Sequence, residues 1–449
     1  KLEDTKKLAY LAETGAAAPV AMFAAALRGI PYVPINYRLA EDQIKALLKR
    51  VSPALLISDD APEVEGISLI TPAQVFSPGT PWEGFAPDEE GGIAIELFTS
   101  GTTGDPKSAI LRHDNLMAYI LGTIEFMSAE ETQSTLVSVP PYHIAGISAI
   151  LSSIYAGRRM VQLPNFSPEA WLKLAIQENV SQAFLVPTML QRIIEHVTNI
   201  NETFHLPAMQ AIAYGGGKMP HAVIEQAMSL MPHVNFTNAY GLTETSSTIC
   251  LLDPDDHREA FESEDPAVRA RLSSVGRPLP AVELEIRDDN NAPCGAGEAG
   301  YVFVRGDQVS GEYHGSGSLL DENGWFPTRD RGYLDDAGYL FLDGRADDVI
   351  VRGGENISPG EIEDVLIEMS DIKDVAAVAV ADDEWGEAVG VVIVPTDITA
   401  PPEIEAIKTH VRDQLRSSRV PTQVKFTEEL PYNETGKLLR RVLRDGFST

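Results

Sequence analysis

The chain has 449 residues, more than one ordinary core accommodates, so two or more domains are expected. A formal charge of −31 argues against a general nucleic-acid binder, which needs a basic face, and against electrostatic docking on anionic lipid. Hydrophobic content of 44% against 22% charged residues is the balance of a globular chain with room for a large core. Cys250 and Cys294 stand in no metal or redox spacing and read as reduced, structural thiols of a cytoplasmic protein. No apolar run approaches a membrane span, Pro19 to Leu27 being too short, and no signal peptide is visible. The abrupt start on Lys1 in a charged stretch leaves room for an upstream segment.

In chain order, Ile44, Leu47, Leu48 and Val51 fall at helical spacing, and Pro53 to Ser58 follows as a strand. The apolar run Ile93 to Phe98 leads into Thr99-Ser100-Gly101-Thr102-Thr103-Gly104-Asp105-Pro106-Lys107. Helix-then-strand signals return at WLKLAIQENV and QAFLVP, and at HAVIEQAMSL and VNFTNAYG. This alternation predicts the α/β class, with sheets flanked by helices. Residues 253–265, DPDDHREAFESED, carry seven acidic side chains and read as a solvated loop. More β-rich sequence follows. Ser358-Pro359-Gly360-Glu361 predicts a helix start, with Ser as N-cap, Pro at the first helical position and Glu three beyond the cap. Two strands, VAAVAV and AVGVVIV, and a helix with Ile404, Ile407, Val411 and Leu415 on one side complete a small α+β unit.

Four stretches carry chemistry. In 99–107 the glycines let backbone N–H groups approach phosphate, the hydroxyls add donors, and Lys107 adds charge. It is not the usual P-loop, because five residues on from Gly101 stands Pro106. In Asn238-Ala239-Tyr240-Gly241-Leu242-Thr243-Glu244-Thr245, Tyr240 offers a flat face for a base, Thr243 a hydroxyl and Glu244 a hard oxygen suited to Mg²⁺. A buried Tyr beside a helix cap is the plainer alternative. In 325–363, Asp330 could accept from ribose hydroxyls, Arg345 could meet phosphate, and Gly353-Gly354 could let a ligand pass close to backbone; a surface ion pair is the plainer reading of Asp330 and Arg345. Finally, Lys437 closes a turn, PYNETGK, near the chain's end.

Together these four stretches, in this order, resemble the adenylate-forming superfamily of acyl-CoA synthetases, adenylation domains and luciferases over nearly the whole chain. The resemblance implies a large N-terminal domain, residues 1–344, and a small mobile C-terminal domain, 345–449, hinged at Asp347. It implies that Thr99 to Lys107 hold the β- and γ-phosphates of ATP. Gly215-Gly216-Gly217 and Asn238 to Gly241 would sandwich adenine, with Tyr240 stacking. Thr243 would touch the α-phosphate, Glu244 would bind Mg²⁺, and Asp330 would hold ribose with Arg345 nearby. Lys437 would bridge the substrate carboxylate and the α-phosphate. A loop at Gly353, Gly354 and Glu355 would serve the second, thiol-acylating step with coenzyme A. The family usually has Gly where this chain has Ser108 and Arg329; Arg329 could alter its turn.

Pro140 to Gly146, PPYHIAG, resembles the pocket-side motif of acyl and aryl acid ligases, placing His143, Ile144 and Gly146 with Val186 and Tyr214 around the acid. His143 would gate the pocket or assist the thiol, or is a hydrogen-bonded structural histidine. No acidic residue occurs from Thr132 to Gln162, which weighs against an amino-acid substrate. The expected activity is an acid–CoA ligase acting on a fatty or aromatic carboxylic acid. The alternatives are an adenylating enzyme that loads a carrier protein's thiol, and a non-catalytic nucleotide-binding relative.

Overall fold

The computed structural model describes residues 5–79, 92–99, 106–200, 205–382, 384–433 and 436–447. The contacts divide the chain into two compact units, 1–283 with 304–326, and 284–303 with 327–449. The expected boundary at 344 and 345 falls inside the second unit, at the end of one of its sheets.

The first unit is built on two sheets. One has the strand order Gly317–Ser318, Glu312–Tyr313, Lys107–Arg112, Ile93–Thr99, Tyr32–Pro34, Lys7–Tyr10, Ala54–Ile57, Ile67–Ile70. Its strands from 93–99 through 67–70 run parallel, and 107–112 and 312–313 are antiparallel additions. The other orders Arg277–Pro278, Ser247–Leu252, Asn235–Leu242, Ala211–Gly215, Gln182–Leu185, Ser134–Val137, Arg159–Gln162. Here 247–252 turns back antiparallel against 235–242.

The helices follow the apolar periodicity. Helix Glu41–Val51 buries the predicted Ile44, Leu47, Leu48 and Val51 and starts with Glu41 and Asp42 in the first turn, where negative charge favours the helix dipole. Helix Pro168–Gln177 is capped by Ser167, whose hydroxyl accepts from Ala170 N at 3.1 Å, and buries Trp171. Each such apolar side chain contributes roughly 1.5–3 kcal/mol when removed from water.

Residues 253–265 are not a solvated loop. They form helix Pro254–Glu262 and the start of helix Pro266–Arg269. Asp253 caps the first, its carboxylate accepting from Asp256 N at 2.8 Å, and Asp265 caps the second. Asp253 and Asp265 serve as caps and Asp255 and Asp256 as first-turn charges, and Asp256, His257 and Ala260 are buried.

The second unit holds most of a four-stranded sheet, Glu283–Arg287, Gly300–Arg305, Phe326–Leu334, Leu340–Arg345, and a five-stranded sheet. In the latter the hairpin Ile372–Asp382 and Gly386–Pro395 packs Ile362, Leu366, Ile407 and Val411 from two helices. Helix Pro359–Leu366 begins where predicted, but the Ser358 hydroxyl donates to Asp343 O at 2.6 Å instead of capping, and Glu361 pairs with Arg419. Ile404, expected on the apolar face of helix Ile404–Gln414, is exposed.

Candidate functional site

Ser100, Gly101, Thr102, Thr103 and Gly104, expected to hold phosphate, lie outside the described residues; the two strands that flank them do not. Strands 93–99 and 107–112 form a hairpin with Thr99 opposite Lys107. Arg50 ties down its exit: Nη1 donates to Pro106 O at 2.7 Å while the guanidinium rests over the Phe98 ring. Lys107 is exposed, with Nζ 5.7 Å from the centroid of the Tyr313 ring.

The hairpin carries part of a cluster that the motif reading missed. Glu96, 3% exposed, bonds to Lys7 Nζ at 2.8 Å, with Ser108 Oγ at 3.5 Å and His314 Nδ1 at 4.0 Å. These residues, with Arg50 and Phe98, line a cavity of about 160 Å³. The signal was a glutamate inside the apolar run IAIELF, since a buried carboxylate needs a partner. Ser108, the departure from glycine, gives Glu96 one of its donors. A larger cavity of about 460 Å³, lined by Tyr10, Glu13, Tyr37, Asp59, Asp60 and Phe76 among others, contains none of the predicted site residues.

Gly215 ends its strand beside Ala239, with Gly216 and Gly217 exposed beyond it. Asn238 is buried and donates from Nδ2 to Ser274 O at 3.0 Å, so its amide braces the neighbouring turn. Ala239, Tyr240 and Gly241 are half-buried at the strand's carboxyl end. At Gly241 a Cβ would stand 1.8 Å from Ser247 O, because the chain folds straight back on itself. That reversal is the 3₁₀ turn Thr243–Thr245 followed by Ser246 and Ser247 at φ of 57° and 121°. Thr245 Oγ1 closes it, accepting from Leu242 N at 2.9 Å and donating to Ser247 O at 2.8 Å. Thr243 and Glu244 thus stand on a bend stored in an unfavourable backbone conformation.

Glu244 accepts a short hydrogen bond from the Tyr313 hydroxyl at Oε1, and its carbonyl accepts from Ser310 N and Gly311 N at 2.9 and 3.1 Å. Among the described residues no group of three or more His, Cys, Asp or Glu could hold a metal by itself. The donor set therefore fits Mg²⁺ held by one carboxylate and phosphate oxygens, the usual Mg²⁺ arrangement, and does not fit an all-protein cage.

On the acid side, His143 precedes helix Ile144–Ala156 at the N-cap position, its ring 4.7 Å from that of Tyr142. Ile144 is half-buried, and Gly146 and Val186 are buried. Tyr214 is fully buried in the core, its hydroxyl 2.8 Å from His257 Nε2. His257 Nδ1 faces Asp253 O at 2.8 Å. A carbonyl only accepts, so Nδ1 carries the proton and Nε2 accepts from the phenol. Burial holds the imidazole down at about 4.

In the second unit Asp330, 7% exposed, faces Arg345 across the strand pair, with Arg345 Nε 3.1 Å from its carboxylate. Arg345 Nη1 also donates to Thr328 O at 2.9 Å. Asp330 is buried and Arg345 half-buried, so the pair is less exposed than the surface pair of the plainer reading. Arg329 keeps φ at 63° with its side chain in solvent, so the backbone retains the conformation that glycine favours. Asp347 lies in the turn Ala346–Asp348, and its carbonyl accepts from Arg444 at 3.5 Å. Gly353 N donates to Trp385 O at 2.9 Å. Glu355 is gripped by Arg419, whose hydrogen bond holds its carboxyl below the usual range.

Lys437 is exposed: its N–H donates to Asn433 Oδ1 at 2.8 Å and its carbonyl accepts from Asn433 N at 2.9 Å. Tyr432 is anchored through a 3.0 Å bond to Asp374, whose carboxyl burial pushes up. Arg440 is anchored through Glu363 and Ala377 O.

The sequence model of the AMP-binding enzymes matches residues 2–314, and that of the AMP-binding enzyme C-terminal domain matches residues 361–437. The chain belongs to the AMP-binding enzymes. This AMP-binding enzyme is 30% identical over 446 residues to 2-succinylbenzoate–CoA ligase of Bacillus mycoides (strain KBAB4), a match that covers 98% of this chain and 88% of the relative. Its fold is similar to that of o-succinylbenzoate CoA synthetase from Bacillus subtilis in complex with the acyl-adenylate intermediate OSB-AMP, with TM-score 0.83, 26% identity, and 98% and 88% of the two chains covered. The same Bacillus subtilis enzyme with ATP and magnesium ion gives TM-score 0.80 at 25% identity, covering 99% and 89%. The α/β fold with a smaller C-terminal domain and the AMP-forming acid–CoA ligase activity, with ATP, Mg²⁺ and coenzyme A, agree with these findings. No described helix is long and apolar enough to cross a membrane.

Proposed function

We propose that this AMP-binding enzyme activates an aryl or acyl carboxylic acid as its acyl-adenylate and passes the acyl group to the thiol of coenzyme A, in the cytoplasm where both nucleotides are supplied. The observation that carries this reading is the grouping of Lys107, Tyr313 and Glu244, an exposed cation and a single carboxylate that both approach one phenol.

In the first step a carboxylate oxygen attacks the α-phosphorus of ATP, and the bond to pyrophosphate breaks. Two anions must approach, so the requirement is positive charge at the phosphates. Lys107 and the 99–107 backbone serve the β- and γ-phosphates. Thr243 donates to the α-phosphate, and Glu244 holds the divalent cation. Bound Mg²⁺ neutralises the phosphate oxygens and orients the leaving group. Gly215 to Gly217 and Asn238 to Gly241 wall the adenine, with Tyr240 against its face. Asp330 accepts from the ribose hydroxyls, with its charge already balanced by Arg345. Lys437 bridges the attacking carboxylate and the α-phosphate. In the second step the sulfur of CoA, having lost its proton, attacks the acyl carbon and AMP leaves. Lys437 and the Gly353–Glu355 loop serve different steps, exchanged by rotation about Asp347.

His143, Ile144, Gly146 and Val186 frame the acid. Tyr214 contributes through its strand position, since its ring belongs to the core. The absence of an acidic residue from 132 to 162 supports a substrate without an α-ammonium. The relatives' names make 2-succinylbenzoate the first acid to test. The experiment is a carboxylic-acid panel read as ATP-dependent pyrophosphate release, with CoA, a carrier protein or no acceptor. An aryl acid such as 2-succinylbenzoate should release pyrophosphate, and free CoA should accept the acyl group. Silence across the panel would reduce the chain to a nucleotide binder, and thioester formation with the carrier protein alone would reassign the acceptor.

A further inference from the structure

Residues 310–314 lie between the two phosphate-handling elements of the first unit. On one side Ser310 N and Gly311 N bond the carbonyl of Glu244. On the other, Glu312 and Tyr313 pair with Ile110 and Ala109, His314 N donates to Ser108 O at 2.8 Å, and the Ser310 hydroxyl bonds Ile110 O. Glu312 fixes this register through a two-pronged pair with Arg112 at 2.8 and 2.9 Å. Tyr313 therefore cannot slide along the 107–112 strand without breaking a charged pair. Its hydroxyl reaches the Glu244 carboxylate and its ring faces Lys107 Nζ.

This placement has a chemical consequence. A lysine and a glutamate near one polyphosphate site would neutralise each other if they met. Among the described residues Lys107 forms no ion pair with Glu244; the phenol stands in contact with both. The ring face takes the cation weakly, by its quadrupole, and the hydroxyl satisfies one carboxylate oxygen. Both charges stay oriented yet exchangeable for phosphate and metal. We propose that Tyr313 is a positioning residue that holds Glu244 ready for the Mg²⁺ of Mg·ATP and keeps it apart from Lys107. This rests on the reading of Glu244 as the metal carboxylate given above. A partner that orients a metal-binding carboxylate commonly changes metal affinity 10–100-fold when removed, so roughly that range is expected here.

The test is ATP binding by the whole chain, followed by calorimetry without divalent cation and across a Mg²⁺ series, with no acid present. Tyr313→Phe, which keeps the ring, should leave metal-free ATP affinity unchanged and raise the Mg²⁺ concentration for half-maximal enhancement about ten-fold. Tyr313→Leu, which also removes the ring, should in addition weaken metal-free ATP binding, because Lys107 and Glu244 become free to pair. Glu244→Gln is the reference and should abolish the Mg²⁺ enhancement. If Glu244→Gln abolishes it while Tyr313→Phe matches the unaltered chain, the role of Tyr313 is overturned and that of Glu244 stands. If neither variant changes the Mg²⁺ response, the metal assignment of Glu244 fails and the Tyr313 proposal fails with it. Thermal melting of each variant separates these results from misfolding.

Discussion

The strand end at 238–247 and the surroundings of Gly353, Glu355 and Lys437 carry the two halves of the proposed chemistry, and they are built differently. In the first, the walls are backbone: Gly241 faces Ser247 O, and the bend beyond it is closed by Thr245 and buried Ser246. In the second, the neighbours are side chains: the exposed Trp385 beside Gly353, Arg419 on Glu355, Asn433 beside Lys437. A backbone wall cannot yield without moving a sheet, whereas an exposed side chain such as Trp385 can turn away. A region that positions a nucleotide profits from the first kind, and one that must change partners between two steps profits from the second.

The sharpest way to break that comparison is one added methyl in each region. At Gly241 a Cβ meets Ser247 O at 1.8 Å, so Gly241→Ala should cost about 3 kcal/mol, read as the shift in urea midpoint. At Gly353 the nearest atom is in the Trp385 ring at 2.6 Å, and that side chain is 46% exposed. Gly353→Ala should cost about 1 kcal/mol, most of it from the positive φ of 57°. Equal costs would remove the distinction.

A second probe uses the core behind the strand ends. His257 is neutral when folded, held at about 4, and titrates at 6.5 when unfolded. Its contribution is therefore complete above pH 6.5 and is lost as pH falls toward 4, because the unfolded chain then binds the extra proton. The expected loss is about 2 kcal/mol at pH 5. His257→Gln should flatten that part of the stability profile, and an unchanged slope would show that the imidazole is not neutral in the fold.

The smallest effect is the most instructive. Arg329 occupies a glycine-like φ of 63° with open space for its side chain. Arg329→Gly should therefore stabilise the chain by about 1 kcal/mol, seen as a small rise in melting temperature. A loss of stability would mean that the guanidinium makes contacts worth more than the backbone strain.

What could be read from the sequence follows the same division. Periodic apolar residues, such as Ile44 to Val51, and glycines in patterns suited to phosphate and base express constraints that are local in the chain, and they led to the fold and to the candidate site residues. The helix at 254–262 was misread because its acids were counted as solvated charge, although Asp253-Pro254 is a cap followed by a first-turn proline. Ser358 has the right residue type for a cap, but a carbonyl 15 residues away takes its hydroxyl. Tyr313 reaches Glu244 across 69 residues and Glu96 reaches Lys7 across 89, so no spacing rule exposes either pair. Tyr214 was assigned to the pocket by position; strand alternation turns its ring into the core, against His257.

The account depends most on Lys437, an exposed cation on the second side of the comparison. The deciding measurement is Lys437→Ala assayed in separate half-reactions: pyrophosphate release from ATP and acid, and thioester formation from supplied acyl-adenylate and CoA. The account predicts that the first falls by at least about 100-fold, the scale of losing a preorganised charge at the reacting phosphate, while the second stays near that of the unaltered chain. Equal loss in both, or none in the first, would contradict it.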